Sequence, residues 1–272
     1  MHVGVKIGPA MDARLADAAR AAEDIGFDSV WLSERVAIPL DTAHAYEPMT
    51  DPWIGLAFAA AVTSRVQLGT SVAQIALRHP VLMSRELATL DRLSGGRLIV
   101  GAGAGWVEEE FTTTGVPFET RGGRLNEAVQ VMRHIWTKPG EPWKGRFFDL
   151  PRAGIVGPLT PGGPPIFFGA GAMAGIKRAA KYGDGFIGVT RTPGDAGKLA
   201  ARVRGIRAEM GKTGPFPVYF QAAPPESLAE AEEMRGAFAE GGVDGLILTY
   251  AGTPPDSFSG QDEVVRVLRE GR

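Results

Sequence analysis

The pattern that decides the fold is clearest in residues 81–101, VLMSRELATLDRLSGGRLIVG. Residues 81–93 have the length and apolar spacing of an amphipathic helix, and the Ser94-Gly95-Gly96 turn ends it. Residues 97–101 then predict a short, buried strand. Apolar strands that are separated by helices are typical of a parallel sheet covered by helices.

The same helix-and-strand unit recurs along the whole chain. The other predicted strands are residues 3–8, 27–32, 65–72, 166–169, 185–189, 217–222 and 245–249. The other predicted helices are residues 12–25, 52–62, 123–136, 174–181, 196–210, 228–240 and 261–268. Eight strands alternating with eight helices favour an α/β fold, the closed (β/α)8 TIM barrel, over an open doubly wound sheet. Residues 143–165 are rich in proline and glycine and predict an inserted excursion, such as a hairpin, before the fifth strand.

Length and composition exclude several classes of protein. A length of 272 residues suits one barrel, so residues 1–272 are expected to form a single domain. The net charge of −2 and the lack of a basic stripe argue against a nucleic-acid partner. The chain has no cysteine, which excludes disulfides, thiolate metal sites and cysteine nucleophiles, and no histidine pair suggests a metal. Without a signal-peptide pattern or an apolar run of ~18 residues, we expect a cytoplasmic protein away from membranes.

Two glycine-rich segments follow predicted strands, at the edge where barrel enzymes build their active sites. They are residues 101–106, GAGAGW, and residues 169–172, GAGA. Such segments expose backbone N–H groups and leave room for a flat or phosphorylated ligand, and the second leads into a helix N-terminus. A tight turn without a ligand is the alternative for each. Taken together they predict a cofactor site formed by Gly103, Ala104, Gly105, Gly169, Ala170, Gly171 and Ala172.

Several ordered segments resemble the luciferase-like flavin and deazaflavin oxidoreductases. They are residues 26–31 (GFDSVW), 63–70 (TSRVQLGT), 78–80 (RHP), 90–98 (LDRLSGGRL), 101–106 (GAGAGW) and 179–186 (AAKYGDGF). The resemblance runs from the N-terminus to about residue 190. It implies a barrel enzyme that transfers hydride between a deazaflavin, coenzyme F420, and a small organic substrate.

Two other functions remain open at this point. Members of the family that use FMN are monooxygenases supplied by a separate reductase. A homologue that binds the coenzyme without turnover is the third possibility. The resemblance also implies a homodimer, for which the alanine-rich residues 53–62 offer a smooth apolar helix face.

The resemblance assigns roles to single residues. A cis peptide between Ser71 and Val72 is implied at the end of the third strand, where Thr70, Ser71 and Val72 would bind the coenzyme ring. Members often carry an acidic residue followed by histidine after the second strand, whereas this chain has Glu34-Arg35. A guanidinium group keeps its positive charge in proteins, so Arg35 cannot be a general base, but it can bind an anion or the ring hydroxyl.

Glu34 and Arg35 are the predicted catalytic residues, with a simple ion pair between them as the alternative. Trp106 and Arg191 are predicted to bind substrate, although Trp106 equally suits the start of a helix. Three further positions have a structural and a functional interpretation. His79 either starts a helix or contacts the coenzyme, and Arg121 and Arg124 precede a helix and could reach a phosphate. Residues 108–110, all glutamate, predict a solvated helix start, which the helix dipole favours.

Overall fold

The computed structural model describes residues 1–8, 14–37, 49–189, 192–251 and 255–271, in which eight parallel strands close into a barrel. The barrel strands are β1 (His2–Lys6), β2 (Ser29–Leu32), β3 (Gln67–Thr70), β4 (Leu98–Ala102), β7 (Ile166–Gly169), β8 (Gly185–Val189), β9 (Val218–Ala222) and β10 (Gly245–Thr249). The remaining pair, β5 (Trp143–Lys144) and β6 (Asp149–Leu150), is an antiparallel hairpin. Around the barrel the order is β1-β10-β9-β8-β7-β4-β3-β2, so β1 and β7 lie on opposite sides. The predicted barrel and the hairpin in the excursion before its fifth strand are confirmed.

Helices follow the strands and cover the outside of the barrel. They are α1 (Arg14–Ile25), α2 (Pro52–Val62), α3 (Pro80–Leu93), α4 (Glu108–Thr113), α5 (Arg121–Thr137), α6 (Met173–Tyr182), α7 (Pro193–Glu209), α8 (Leu228–Glu240) and α9 (Asp262–Glu270). α2 begins as its sequence predicts, with proline first and the Asp51 carboxylate accepting from the N–H groups of Trp53 and Ile54. In the described parts of the chain, no helix is long and apolar enough to cross a membrane.

The lower part of the barrel is filled by large side chains. Trp31 is fully buried at its centre, and glycines make the space for it. A Cβ atom at Gly69 would lie 2.3 Å from the Trp31 ring, and one at Gly4 would lie 2.5 Å from its indole nitrogen. The other buried members of this inner cluster are Ile99, Phe167, Ile187, Tyr219 and Ile247. They form a packed floor beneath the C-terminal ends of the strands.

Two charged residues of the LDRLSGGRL segment tie neighbouring elements together. Asp91 is fully buried, and its carboxylate accepts from the N–H groups of Leu159 and Thr160, each at 2.7 Å. Arg97 donates to the carbonyl oxygens of Ala60 and Thr63 at the end of α2 and to that of Val66 just before β3. The LDRLSGGRL segment therefore has a structural role, because Asp91 anchors the excursion and Arg97 caps the end of α2.

Candidate active site

A cavity of about 770 Å³ opens at the C-terminal ends of the strands, above the floor. Side chains alternate along a strand, so a residue two positions beyond a floor residue faces this cavity. Ser33 follows Trp31 in this way, and Gln221 follows Tyr219. Lys6, two residues beyond Gly4, reaches the cavity from β1. The fold thus brings polar side chains from several strands to one mouth.

Val72 stands between the two glycine-rich segments. The peptide bond between Ser71 and Val72 is cis, as predicted. A Cβ atom at Gly103 would lie 2.6 Å from Val72 Cγ2, and one at Gly169 would lie 2.6 Å from Val72 Cγ1. Glycine is needed at both positions because Val72 occupies that space, which differs from the interpretation that backbone is left open for a ligand. Both segments still line the cavity, with Val72 forming part of its wall.

The start of α6 forms an open, positively charged side of the cavity. A Cβ atom at Gly171 would meet nothing within 4 Å, and the N-cap Ala172 makes no side-chain cap, so the first N–H groups of the helix point outward. Arg121 and Arg178 line the same side. Burial lowers the pKa of Arg178, and the charge of Arg121 lowers it further, while Tyr182 opposes both. Two cations beside a helix N-terminus suit a phosphate group.

Glu34 is buried and belongs to an ion-pair network. Its Oε2 accepts from the backbone N–H of Gln74 at 2.5 Å, and its Oε1 pairs with Arg78, which also binds Asp51 at 2.9 Å. Burial alone would lower the pKa of Arg78, but Glu34 and Asp51 raise it. The pairing of Glu34 with Arg35 that the sequence left open is wrong, because the strand end directs Glu34 toward the segment before α3.

Arg35 instead faces Glu110, at 3.6 Å between Nη1 and Oε2. Glu110 is fully buried, and its Oε1 accepts from the N–H of Val36 and from the Gln74 side chain. The prediction of a solvated start at residues 108–110 is therefore wrong for Glu110. The turn of α4 places Glu110 inward, beside buried Phe111. The sequence spacing could have revealed the inward position of Glu110, because Val107, Glu110 and Phe111 have the three- and four-residue spacing of one helix face, and all three are buried.

The remaining predicted residues divide between the cavity and the outer surface. Trp106 is 56% exposed at the rim of the cavity, and the Arg35 guanidinium lies 5.0 Å from its ring. His79 caps α3 by accepting from the N–H of Val81 and contacts Phe148, away from the cavity. Arg124 also packs on Phe148.

The predicted substrate-binding residue Arg191 falls outside the described residues. Within the described ranges, no group of three or more histidine, aspartate or glutamate residues could hold a metal ion.

Comparison with known proteins identifies the family. The model of the luciferase-like monooxygenases matches residues 7–263. The chain belongs to this family. This luciferase-like protein is therefore an oxidoreductase.

Its relatives differ in how much is known of them. An uncharacterized protein of Mycobacterium tuberculosis is 34% identical over 235 residues, which cover 80% of this chain and 83% of that protein. An F420-dependent glucose-6-phosphate dehydrogenase of Kineococcus radiotolerans is 39% identical over 179 residues, or 64% of this chain. The match spans 51% of that dehydrogenase, about half its length.

Solved structures share the fold over nearly the whole luciferase-like chain. An F420-dependent secondary alcohol dehydrogenase in complex with an F420-acetone adduct superposes with a TM-score of 0.84 at 21% identity, covering 100% of this chain and 99% of that one. The long-chain alkane monooxygenase LadA gives a TM-score of 0.82 at 15% identity, covering 99% and 91%. At these identities the likeness shows the fold alone.

Among the residues that line the cavity of this luciferase-like chain, the polar side chains of Lys6, Gln74, Arg178 and Gln221 were not predicted from the sequence. Lys6 had a visible signal, since a charged residue at the C-terminal end of an apolar barrel strand points to the active-site face. Gln74 and Arg178 had none, because each reaches the cavity from outside a strand.

Proposed function

We propose that this protein transfers hydride between coenzyme F420 and a small organic substrate. The observation that carries the choice of coenzyme is the 39% identity to an F420-dependent dehydrogenase, supported by a second such dehydrogenase, from Amycolatopsis mediterranei, at 34%. The cavity supports the same choice, because it joins a region beside Val72 to a cationic side at α6. A flat ring with a phosphorylated tail matches this arrangement.

Buried polar atoms test whether such a coenzyme fits. Ser71 Oγ and Gln74 Oε1 are buried beside the cavity and have no hydrogen-bond partner among the residues that the structure describes. Buried polar atoms are normally paired, so a ligand with polar ring edges would complete both. Arg121 and Arg178 would hold the phosphate, together with the N–H groups beyond Gly171. The residues present therefore fit a flavin-type coenzyme.

When bound, a deazaflavin supplies a ring carbon that accepts or donates hydride. Val72 would support one face of the ring, which leaves the opposite face for substrate. Both oxygens of Glu34 are already engaged by Arg78 and the Gln74 N–H, so we propose Glu34 as a positioning residue rather than a proton carrier. Arg35, held near Trp106 and Glu110, would bind a negatively charged edge of a ligand.

A titration of coenzyme-free protein with F420 and FMN side by side tests the proposal. We expect F420 to bind at least tenfold more tightly than FMN, a difference of ~1.4 kcal/mol. FMN binding with oxygen uptake would instead identify a monooxygenase that needs a separate reductase. F420 binding without oxidation of any compound in an alcohol and aldehyde panel would identify a binding protein without turnover.

A glycine substitution tests the position of the coenzyme tail. Gly171→Val adds bulk at the exposed start of α6 without meeting any protein atom within 4 Å of its Cβ. We expect coenzyme affinity to fall at least tenfold, ~1.4 kcal/mol, with an unchanged unfolding temperature. Gly154→Val is the matched control, because its Cβ also meets nothing and it lies outside the cavity. Equal affinity in the two variants would remove the tail from this side.

We also propose that the protein acts as a homodimer. Ile54 and Phe58 are 71% and 51% exposed on α2, although both are large and apolar. Leu82 and Leu93 on neighbouring α3 are exposed as well. Large exposed apolar side chains on two adjacent helices are typical of an interface. A second copy of the chain would cover it.

A further inference from the structure

The cavity carries a cation that its own walls do not neutralise. Lys6 ends β1, points into the cavity and has no hydrogen bond or ion pair with any residue in the described ranges. Burial lowers the pKa of its ammonium group, and the positive charge of Arg35 lowers it further. A half-buried ammonium group beside a second cation is costly unless an anion joins them.

The acidic residues nearby are already committed to other cations. Glu34 is paired with Arg78, and Glu110 faces Arg35 while accepting two hydrogen bonds. Neither carboxylate contacts Lys6, so the single positive charge of Lys6 has no anionic partner among the described residues. A carboxylate supplies one negative charge, whereas a phosphate supplies nearly two at neutral pH.

The topology separates this cation from the proposed phosphate site. β1 lies four strands from β7 in either direction around the barrel. Lys6 is thus across the mouth from Gly171 and Arg178, with Val72 on β3's end between the two sides. A coenzyme whose tail lies at α6 leaves Lys6 free to contact a second ligand.

We propose that the substrate is a small molecule with a carboxylate group, and that Lys6, with Arg35 beside it, binds that carboxylate. The size follows from the cavity, since its roughly 770 Å³ must also hold a coenzyme ring. Gln221 lines the same mouth and would donate a further hydrogen bond from its amide. The position of the reacting carbon relative to the ring rests on the proposed function, whereas the anion site itself does not.

Calorimetric titration with butanoate and its neutral isostere butanamide tests this inference. We expect wild-type protein, saturated with F420, to bind butanoate at least tenfold more tightly than butanamide. Lys6→Arg should keep the preference within about threefold, and Lys6→Met should abolish it, since only the former retains the charge. Lys144→Met is the matched control, because Lys144 is an exposed lysine on the hairpin; it should behave as wild type.

Each other outcome has a definite meaning. Equal binding of acid and amide by wild type, or an unchanged preference in Lys6→Met, would overturn the inference. Tighter binding of inorganic phosphate than of butanoate would overturn the choice of a carboxylate. If F420 does not bind, the proposed function fails, and the same comparison in coenzyme-free protein still decides the anion site. If Lys6→Met loses tenfold in F420 affinity and wild type shows no acid preference, Lys6 serves the coenzyme instead.

Discussion

The ion-pair network around Glu34 predicts that removing its cation costs more stability than removing its carboxylate. Glu34 has a side chain only 3% exposed, whereas Arg78 is 29% exposed and keeps Asp51 as a second partner. Arg78→Gln therefore leaves a buried carboxylate without its cation, a change that typically costs ~3–5 kcal/mol. Glu34→Gln leaves a cation that still has Asp51 and solvent, so we expect a smaller loss of ~2–3 kcal/mol.

The expected changes are large enough to measure. With an unfolding entropy of about 2.1 cal/mol/K per residue, a loss of 2–3 kcal/mol in a chain of 272 residues lowers the midpoint temperature of thermal unfolding by roughly 4–5 °C. Urea unfolding of Glu34→Gln, Arg78→Gln and the double variant completes a double-mutant cycle. The double variant should be more stable than the sum of the single losses predicts, with a coupling above ~1 kcal/mol.

An exposed ion pair provides the control. Arg20 and Asp17 lie 3.2 Å apart on α1 with side chains 55% and 61% exposed, and their cycle should give a coupling of only ~0–0.5 kcal/mol. Additive losses for Glu34 and Arg78, or a larger loss for Glu34→Gln than for Arg78→Gln, would refute the assignment of the pair as the buried element of this network.

Three further predictions concern the rest of the molecule. Asp91→Asn removes an acceptor from the fully buried carboxylate that holds the excursion, so we expect a loss of ~1–3 kcal/mol and faster proteolysis within residues 151–165, and unchanged proteolysis would contradict the anchoring role. Burial lowers the pKa of His2 to about 4 although Asp28 opposes this. The folded state therefore favours neutral His2, so the contribution of His2 to the free energy of unfolding is complete above pH 6.5 and is lost as the pH falls toward 4. In plots of the free energy of unfolding against pH, His2→Gln should therefore reduce the slope between pH 6.5 and 4 by up to ~1.4 kcal/mol per pH unit. Equal slopes for the variant and the wild type would argue against this role of His2. Ile54→Glu combined with Phe58→Glu should give monomers by sedimentation where wild type gives dimers, and a wild-type monomer at micromolar concentration would reject the interface.

Much of the fold could be predicted because its elements have strong local signals. β8, α8 and β10 have the predicted bounds, since each is an apolar run or an amphipathic segment bounded by turn residues. The start of α4 at Glu108 was predicted, but its inward face was missed, because the helix has only six residues and three of them are consecutive glutamates. α5 begins at Arg121, two residues before the predicted start. The prediction began late because glycine, present at positions 122 and 123, has a low helix propensity.

The site was harder to predict because its contacts join distant parts of the chain. Glu34 pairs with Arg78, 44 residues away, and Arg35 with Glu110, so adjacency in sequence suggested the wrong partner. The glycines at 103 and 169 were found for a sound reason, closeness to another group, but that group is the Val72 side chain. Local sequence identifies a position that needs glycine; only the fold identifies what fills the space.

The packed floor beneath the cavity has a kinetic consequence. Trp31, Phe167 and Tyr219 leave no passage along the barrel axis, so both ligands must use the same opening. Where the two ligands overlap along the axis, the one nearer the floor has to arrive first and depart last. An excess of the outer molecule would then close the opening before its companion has entered, and turnover would slow as its concentration rises.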